Sequence, residues 1–154
     1  MIKINVITNN VNWYRLIKNP VNYIRRKIDK INKLDKTFFK KNISCTLLLS
    51  GDKEIKYLNK KFRKKNKTTD VLSFPFQTKK ELNNLLKIEK EIYLGDIIIN
   101  LNKVRNKNIK NFKLEFDRLW IHGFIHLFGY IHKKEKDFLK MNRVEKKYFN
   151  LLNV

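Results

Sequence analysis

The stretch Leu119-Trp-Ile-His-Gly-Phe-Ile-His-Leu-Phe128 constrains the fold most, because it is apolar except for two histidines and a glycine. We predict that it completes a helix from about Phe112 to Phe128, since apolar residues on all sides are typical of a helix buried in a core. On that helix His122 and His126, four residues apart, project from one face. A buried helix would hold both imidazoles rigidly.

The third and last histidine of the chain, His132, follows the glycine at which this helix should end. Gly129 tolerates the left-handed conformation that stops a helix and turns the chain back, which would bring His132 to the open side of the pair. The spacing is that of a three-histidine metal site, in which neutral imidazoles leave one position free. We therefore predict that His122, His126 and His132 bind one zinc ion per chain. The alternative is a coincidence of spacing among ordinary core and surface histidines.

The composition predicts one domain, residues 1–154, because 42% of the 154 residues are hydrophobic, enough for a core. A single cysteine, Cys45, excludes an internal disulfide and indicates a reducing compartment. We expect it to be a small buried thiol on a strand rather than a fourth metal ligand. No stretch has the length of a transmembrane helix and the N-terminus lacks the apolar run of a signal peptide, so we expect a cytoplasmic protein without a membrane partner.

The formal net charge is +22, from 36 Lys and Arg against 14 Asp and Glu. Such a charge attracts polyanions, although an AT-rich genome would also enrich lysine without selection for RNA binding. Residues 53–67 carry eight basic side chains against one acid, Glu54. We favour a phosphate-facing surface there over a solvated helix face.

The apolar pattern predicts an α+β fold, with about five helices on a small mixed four-stranded sheet and the metal site on a buried helix. Strands are predicted at 2–6, 43–49, 71–76 and 93–99, and Pro75 indicates an edge strand or a strand end. Helices are predicted from Pro20 to about Leu34, from Asp52, from about Asn100, over 112–128 and along the C-terminus. The polar segment 77–91 is either a loop or a helix resting on Leu82, Leu85 and Leu86. The helix residues expected to face the core are Val21, Ile24, Ile28, Ile31, Ile55, Leu58, Phe62, Phe138, Met141, Val144, Tyr148 and Leu152.

The histidine spacing also matches the zinc peptidase pattern H-E-x-x-H-x-x-G-x-x-H except at its glutamate, whose place Gly123 takes. That carboxylate is the general base of the peptidases, and general acid–base catalysis typically contributes about 10²–10⁴-fold. Amide hydrolysis is therefore disfavoured. Phosphodiester cleavage mainly needs charge stabilisation and a cation, which a three-histidine metal and the basic segment can supply.

Residues 122–132 resemble the signature H-G-x-x-H-L-x-G-Y-D-H of the YbeY-type endoribonucleases, the bacterial rRNA maturation factors. Two more blocks are similar to that family and appear in the same order: Leu58-Asn-Lys-Lys-Phe-Arg63 with Thr69-Asp-Val-Leu-Ser-Phe-Pro75, and Leu94-Gly-Asp-Ile-Ile-Ile99. The resemblance spans about residues 45–150. It implies a single-strand-directed, zinc-dependent endoribonuclease in rRNA maturation. Its expected partners are rRNA and the small ribosomal subunit, with no DNA.

By position, the resemblance implies that His122, His126 and His132 are the zinc ligands and that Arg63 is catalytic. We expect Arg63 to bind the scissile phosphate, since its guanidinium can engage two oxygens. The alternative is one more solvated charge on a basic helix.

The departure from the family that matters most is Ile131, which stands where an aspartate precedes the last histidine; Thr68, where the family commonly has proline, is a smaller change. Metal-bound histidines usually donate their other N–H to an acceptor, which an aspartate could provide. Either that aspartate is dispensable, or a backbone carbonyl or Asp137 replaces it, or activity is reduced. A non-catalytic RNA-binding factor with a structural zinc, and a metallopeptidase-like hydrolase with another base, therefore remain as alternatives.

Overall fold

The computed structural model describes residues 1–104 and 108–153. Its elements in chain order are β1 (Ile2–Thr8), α1 (Trp13–Leu16), α2 (Pro20–Leu34), β2 (Asn42–Ser50), α3 (Asp52–Arg63), β3 (Val71–Pro75), α4 (Lys79–Ile88), β4 (Glu91–Asn100), α5 (Ile109–Leu127) and α6 (Glu135–Asn153). The predicted α+β class and the four-stranded sheet are confirmed, and the described residues form six α-helices instead of about five. The predicted helix from about Asn100 is wrong in its described part, which is only a 3₁₀ turn, Leu101–Lys103; residues 105–107 lie outside the described ranges.

The sheet has the order β1-β2-β4-β3, with β3 antiparallel to β4 and the other neighbours parallel. The mixed sheet is therefore confirmed, and β3 is an edge strand, as Pro75 predicted. A proline fits there because the free edge needs no ladder hydrogen bond. Side chains alternate along β3, so that Ser73 faces α5 while Leu72 faces α3.

Local signals account for the helix starts. Asn19 caps α2 by accepting a hydrogen bond from the backbone N–H of Asn22, and Pro20 occupies the first turn. The segment that was ambiguous from sequence forms α4, because Thr78 and Glu81 make a reciprocal capping box. The loop alternative for residues 77–91 is thereby excluded over Lys79–Ile88.

Three residues predicted to face the core are exposed instead: Val21 by 52%, Phe62 by 59% and Phe138 by 54%. Each lies in the first or last turn of its helix, at the margin of the layer that the helix covers. Val21 borders a groove beside the edge strand β1, and Phe62 lies at the end of α3. The periodicity identified the correct face of each helix but not where the underlying layer ends.

The helix α5 forms the centre of the core, as predicted. Phe112, Phe116, Trp120 and Phe124 are each at most 2% exposed, and α5 lies against β3, β4 and α6. One carboxylate is buried with them. Asp117 accepts hydrogen bonds from Lys27, Tyr23 and Trp120, which compensate its charge.

Among the described residues, none of the helices combines the length and apolarity that crossing a membrane would require.

Candidate metal centre

The three histidines meet at the C-terminal end of α5. His122 and His126 project from successive turns, and their Nε2 atoms are 3.0 Å apart. Gly129, at φ +87°, turns the chain back, and its N–H donates to the carbonyl of His126. As a result one ligand atom from each of His122, His126 and His132 lies within 4.8 Å of the others.

The second ring nitrogen of each helical histidine has a fixed partner. Nδ1 of His126 lies 2.7 Å from the carbonyl oxygen of Tyr130, and Nδ1 of His122 lies 2.5 Å from Oε1 of Glu145 on α6. Because both partners are acceptors, we assign the proton of each neutral ring to Nδ1. The two Nε2 lone pairs then face each other, an arrangement that a cation between them would stabilise. Their separation of 3.0 Å is close to that expected for two nitrogen ligands of a tetrahedral zinc ion, which at ~2.0–2.1 Å from the metal lie about 3.3 Å apart.

Burial lowers the pKa of His126 to about 4, with the neighbouring His122 as the next cause. Its imidazole is therefore neutral at physiological pH, which is the form that binds a metal. The two helical histidines are half-buried whereas His132 is exposed, so the group is open to solvent on one side. The helix is buried, but its histidine end borders solvent.

Gly123 is required by packing. A Cβ atom at this position would lie 2.6 Å from Cγ2 of Ile97 and 3.0 Å from the hydroxyl of Ser73. Position 123 therefore faces the sheet, and a glutamate side chain would not fit between α5 and β3–β4. The peptidase base is thus excluded here by the close approach of the helix to the sheet.

Arg63 connects to α5 through Ser73. Its guanidinium donates to the carbonyl of Ser73 at 3.0 Å, and the hydroxyl of Ser73 donates to the carbonyl of Gly123 at 3.0 Å. Gly123 is the neighbour of His122 in the chain. The arginine is itself exposed at the free edge of β3, with Cζ 5.8 Å from the ring centroid of Phe74. Arg63 is thus linked to the histidine helix through a single intervening residue, Ser73.

The acceptors that the two helical histidines have in this structure are a backbone carbonyl, that of Tyr130, and the carboxylate of Glu145; neither is Asp137. Ile131 itself is 46% exposed. One feature of the sequence could have identified Glu145 as a residue that faces the protein interior. It lies four residues after the buried Met141 and three before the buried Tyr148, so it is an acid within the apolar stripe of α6.

Cys45 does not belong to the histidine group. It is fully buried on β2, where burial, and then the charge of Asp96, raise the pKa of its thiol to about 12. The prediction of a small buried thiol on a strand is confirmed.

The fold and the site together define an α+β protein in which three imidazoles, suited to one metal ion, converge at the end of a central helix. Residues 8–153 match the family model of Endoribonuclease YbeY. The chain is 44% identical over 148 residues to the Endoribonuclease YbeY of Pelagibacter ubique, covering 94% of this chain and 92% of that protein. It is 31% identical over 157 residues to the Endoribonuclease YbeY of Ehrlichia canis, covering 100% and 94%. The solution structure of TM1509 from Thermotoga maritima shares the fold, with a TM-score of 0.60, 24% identity, and coverage of 97% of this chain and 89% of that one. This chain belongs to the Endoribonuclease YbeY family.

Proposed function

We propose that this chain is a zinc-dependent endoribonuclease that cleaves single-stranded regions of ribosomal RNA, notably of the small subunit, in the cytoplasm. Family membership supports endoribonuclease activity in rRNA maturation. The observation that carries the metal dependence is the convergence of three imidazoles, two of them with Nδ1 held by an acceptor. The charge of +22 favours an RNA partner.

Different residues orient the imidazoles and bind the metal. The carbonyl of Tyr130 and the carboxylate of Glu145 hold the two helical imidazoles with Nε2 turned towards each other. A zinc ion bound by the three histidines would act as a Lewis acid on a phosphoryl oxygen and stabilise the negative charge of the transition state.

Arg63 binds the phosphate that is to be cleaved. One of its terminal nitrogens is engaged by the Ser73 carbonyl, which fixes the direction of the side chain at the edge of β3. The guanidinium has five N–H donors in a planar fork, so the others remain for phosphate oxygens. Because Ser73 also contacts α5, this anchor ties the arginine to the helix that carries the histidines.

The first test is metal analysis combined with cleavage of a single-stranded oligoribonucleotide. The wild-type chain should contain about one zinc and lose cleavage in a chelator, while His126→Ala should lose both metal and cleavage. Full metal content and full cleavage in His126→Ala would contradict the assignment. A DNA strand of the same sequence should stay intact, and the end groups of the RNA products will identify the nucleophile as water or the 2′-hydroxyl.

The second test separates Arg63 from the general charge of its segment. Arg63→Ala should retain zinc and lose cleavage, whereas Lys65→Ala, which removes the same charge from an exposed position nearby, should cleave within a few-fold of wild type. Equal losses in the two variants would reduce Arg63 to a solvated charge. RNA binding without chelator-sensitive cleavage, together with unfolding on zinc removal, would instead indicate the non-catalytic alternative.

A further inference from the structure

An exposed row of aromatic side chains lies on the sheet face opposite α5. Tyr57 and Phe62 on α3 are 57% and 59% exposed, and Phe76, directly after β3, is 75% exposed. Phe62 and Phe76 are joined by Phe74, whose ring lies 5.4 Å from that of Phe62 and which shares a side of the strand with Phe76. We call Tyr57, Phe62 and Phe76 the aromatic surface. None of them is required by the histidine group.

Cations are interleaved with these rings. Nζ of Lys61 lies 5.7 Å from the ring centroid of Tyr57 and 5.4 Å from that of Phe62. Arg63 lies over Phe74, the ring between Phe62 and Phe76. The eight basic residues of the segment 53–67 are all exposed. An exposed acid, Asp96, also lies on this face, where it accepts a hydrogen bond from Tyr93. The balance of charge around the rings is strongly positive.

The combination of rings and cations identifies the occupant. Protein–protein interfaces are depleted in lysine, so a surface this rich in lysine is a poor fit to a protein partner. Exposed rings beside a cationic track are the means by which proteins bind single-stranded nucleic acids, since each base has a face that stacks and each phosphate a charge that is neutralised. Within this row, Arg63 is linked to the histidine helix through Ser73.

We propose that the aromatic surface stacks unpaired bases of the RNA substrate while Lys61 contacts the phosphates between them. This inference rests on the proposed function. The bound strand passes from the α3 face around the free edge of β3, where Arg63 lies, to the histidines. Single-strand preference follows, because paired bases already stack on their neighbours and cannot stack on protein rings.

Binding of a fluorescein-labelled oligoribonucleotide to the zinc-loaded chain, measured by anisotropy, tests this. The strand is 2′-O-methylated so that it resists cleavage through the 2′-hydroxyl. Phe62→Ala should weaken binding by about 5- to 150-fold, the loss expected for one stacked base. The matched control is Phe39→Ala, because Phe39 is 66% exposed and has Lys36 Nζ 5.7 Å from its ring, but lies in the turn before β2. Phe39→Ala should bind as wild type does.

An abasic strand of the same length isolates stacking from charge. It should bind wild type and Phe62→Ala equally. An effect of Phe62→Ala that persists on the abasic strand, or no effect on the normal strand, overturns the inference while leaving the proposed function intact. If Phe62→Ala does not fold, Tyr57→Ala and Phe62→Leu replace it in the binding assay. Wild-type RNA affinity in both of these variants would also overturn the inference.

Two further outcomes are distinguishable. A wild-type chain that neither binds nor cuts any RNA contradicts the proposed function itself. If light scattering shows a wild-type dimer that Phe62→Ala converts to monomer, with RNA affinity unchanged, a second copy of the chain covers the aromatic surface and the inference fails.

Discussion

Glu145 offers the sharpest test of how the fold prepares the histidine group. It lies on α6, and its Oε1 is 2.5 Å from Nδ1 of His122. Replacing it with alanine removes the acceptor that fixes the tautomer and orientation of that imidazole. Loss of such a partner typically lowers metal affinity about 10- to 100-fold, or about 1.4–2.7 kcal/mol. The side chains of His122 and Glu145 are 33% and 25% exposed, so water can partly replace the carboxylate. We therefore expect about a tenfold loss of zinc affinity, at the lower end of that range.

Competition for zinc against a chromophoric chelator measures this affinity directly. Glu145→Gln keeps an acceptor oxygen and should stay within a few-fold of wild type. Asp137→Ala removes the acid that the sequence had suggested, and should bind zinc as wild type does. Wild-type affinity in Glu145→Ala, or an equal loss in Asp137→Ala, would refute the role of the carboxylate.

Three further outcomes concern stability, each measured as the free energy of unfolding in urea. Asp117→Ala should cost about 3 kcal/mol, because Lys27 loses its charged partner and keeps only the amide oxygen of Asn153, in a site where the carboxylate is 1% exposed; a cost below about 1 kcal/mol would mean that the lysine simply moves to solvent. Gly123→Ala should cost about 1–3 kcal/mol through overpacking against Ile97, and an unchanged stability would show that α5 can shift away from the sheet. Burial alone would raise the pKa of Asp35, but its hydrogen bonds outweigh this and hold the pKa well below its usual range. The stabilisation that ionised Asp35 gives to the folded state is therefore complete above about pH 5 and declines as pH falls below about 4. The loss in free energy of unfolding caused by Asp35→Asn should accordingly become smaller in acid.

The elements that the sequence predicted well are those with a local physical cause. The strands at 43–49 and 93–99 and the helix from Pro20 follow from side-chain periodicity and a helix cap. Pro75 indicated an edge strand or a strand end, because a missing N–H would interrupt the hydrogen-bond ladder of a central strand. The errors at Val21 and Phe62 have a different origin, since the exposure of a helix end depends on how far the neighbouring layer extends.

The sequence by itself determined the histidine trio, since a spacing of four on a helix and a glycine at its end bring His122, His126 and His132 together through backbone geometry alone. Only the tertiary structure decided that Glu145 orients one imidazole and that Arg63 is anchored on β3. Those contacts join residues far apart in the chain, and no local periodicity encodes which of several candidate acids a neighbouring helix will present. The tertiary structure also decided that the packing of α5 on the sheet leaves no room for a carboxylate side chain at position 123, and that the aromatic surface is exposed on the opposite face of the sheet.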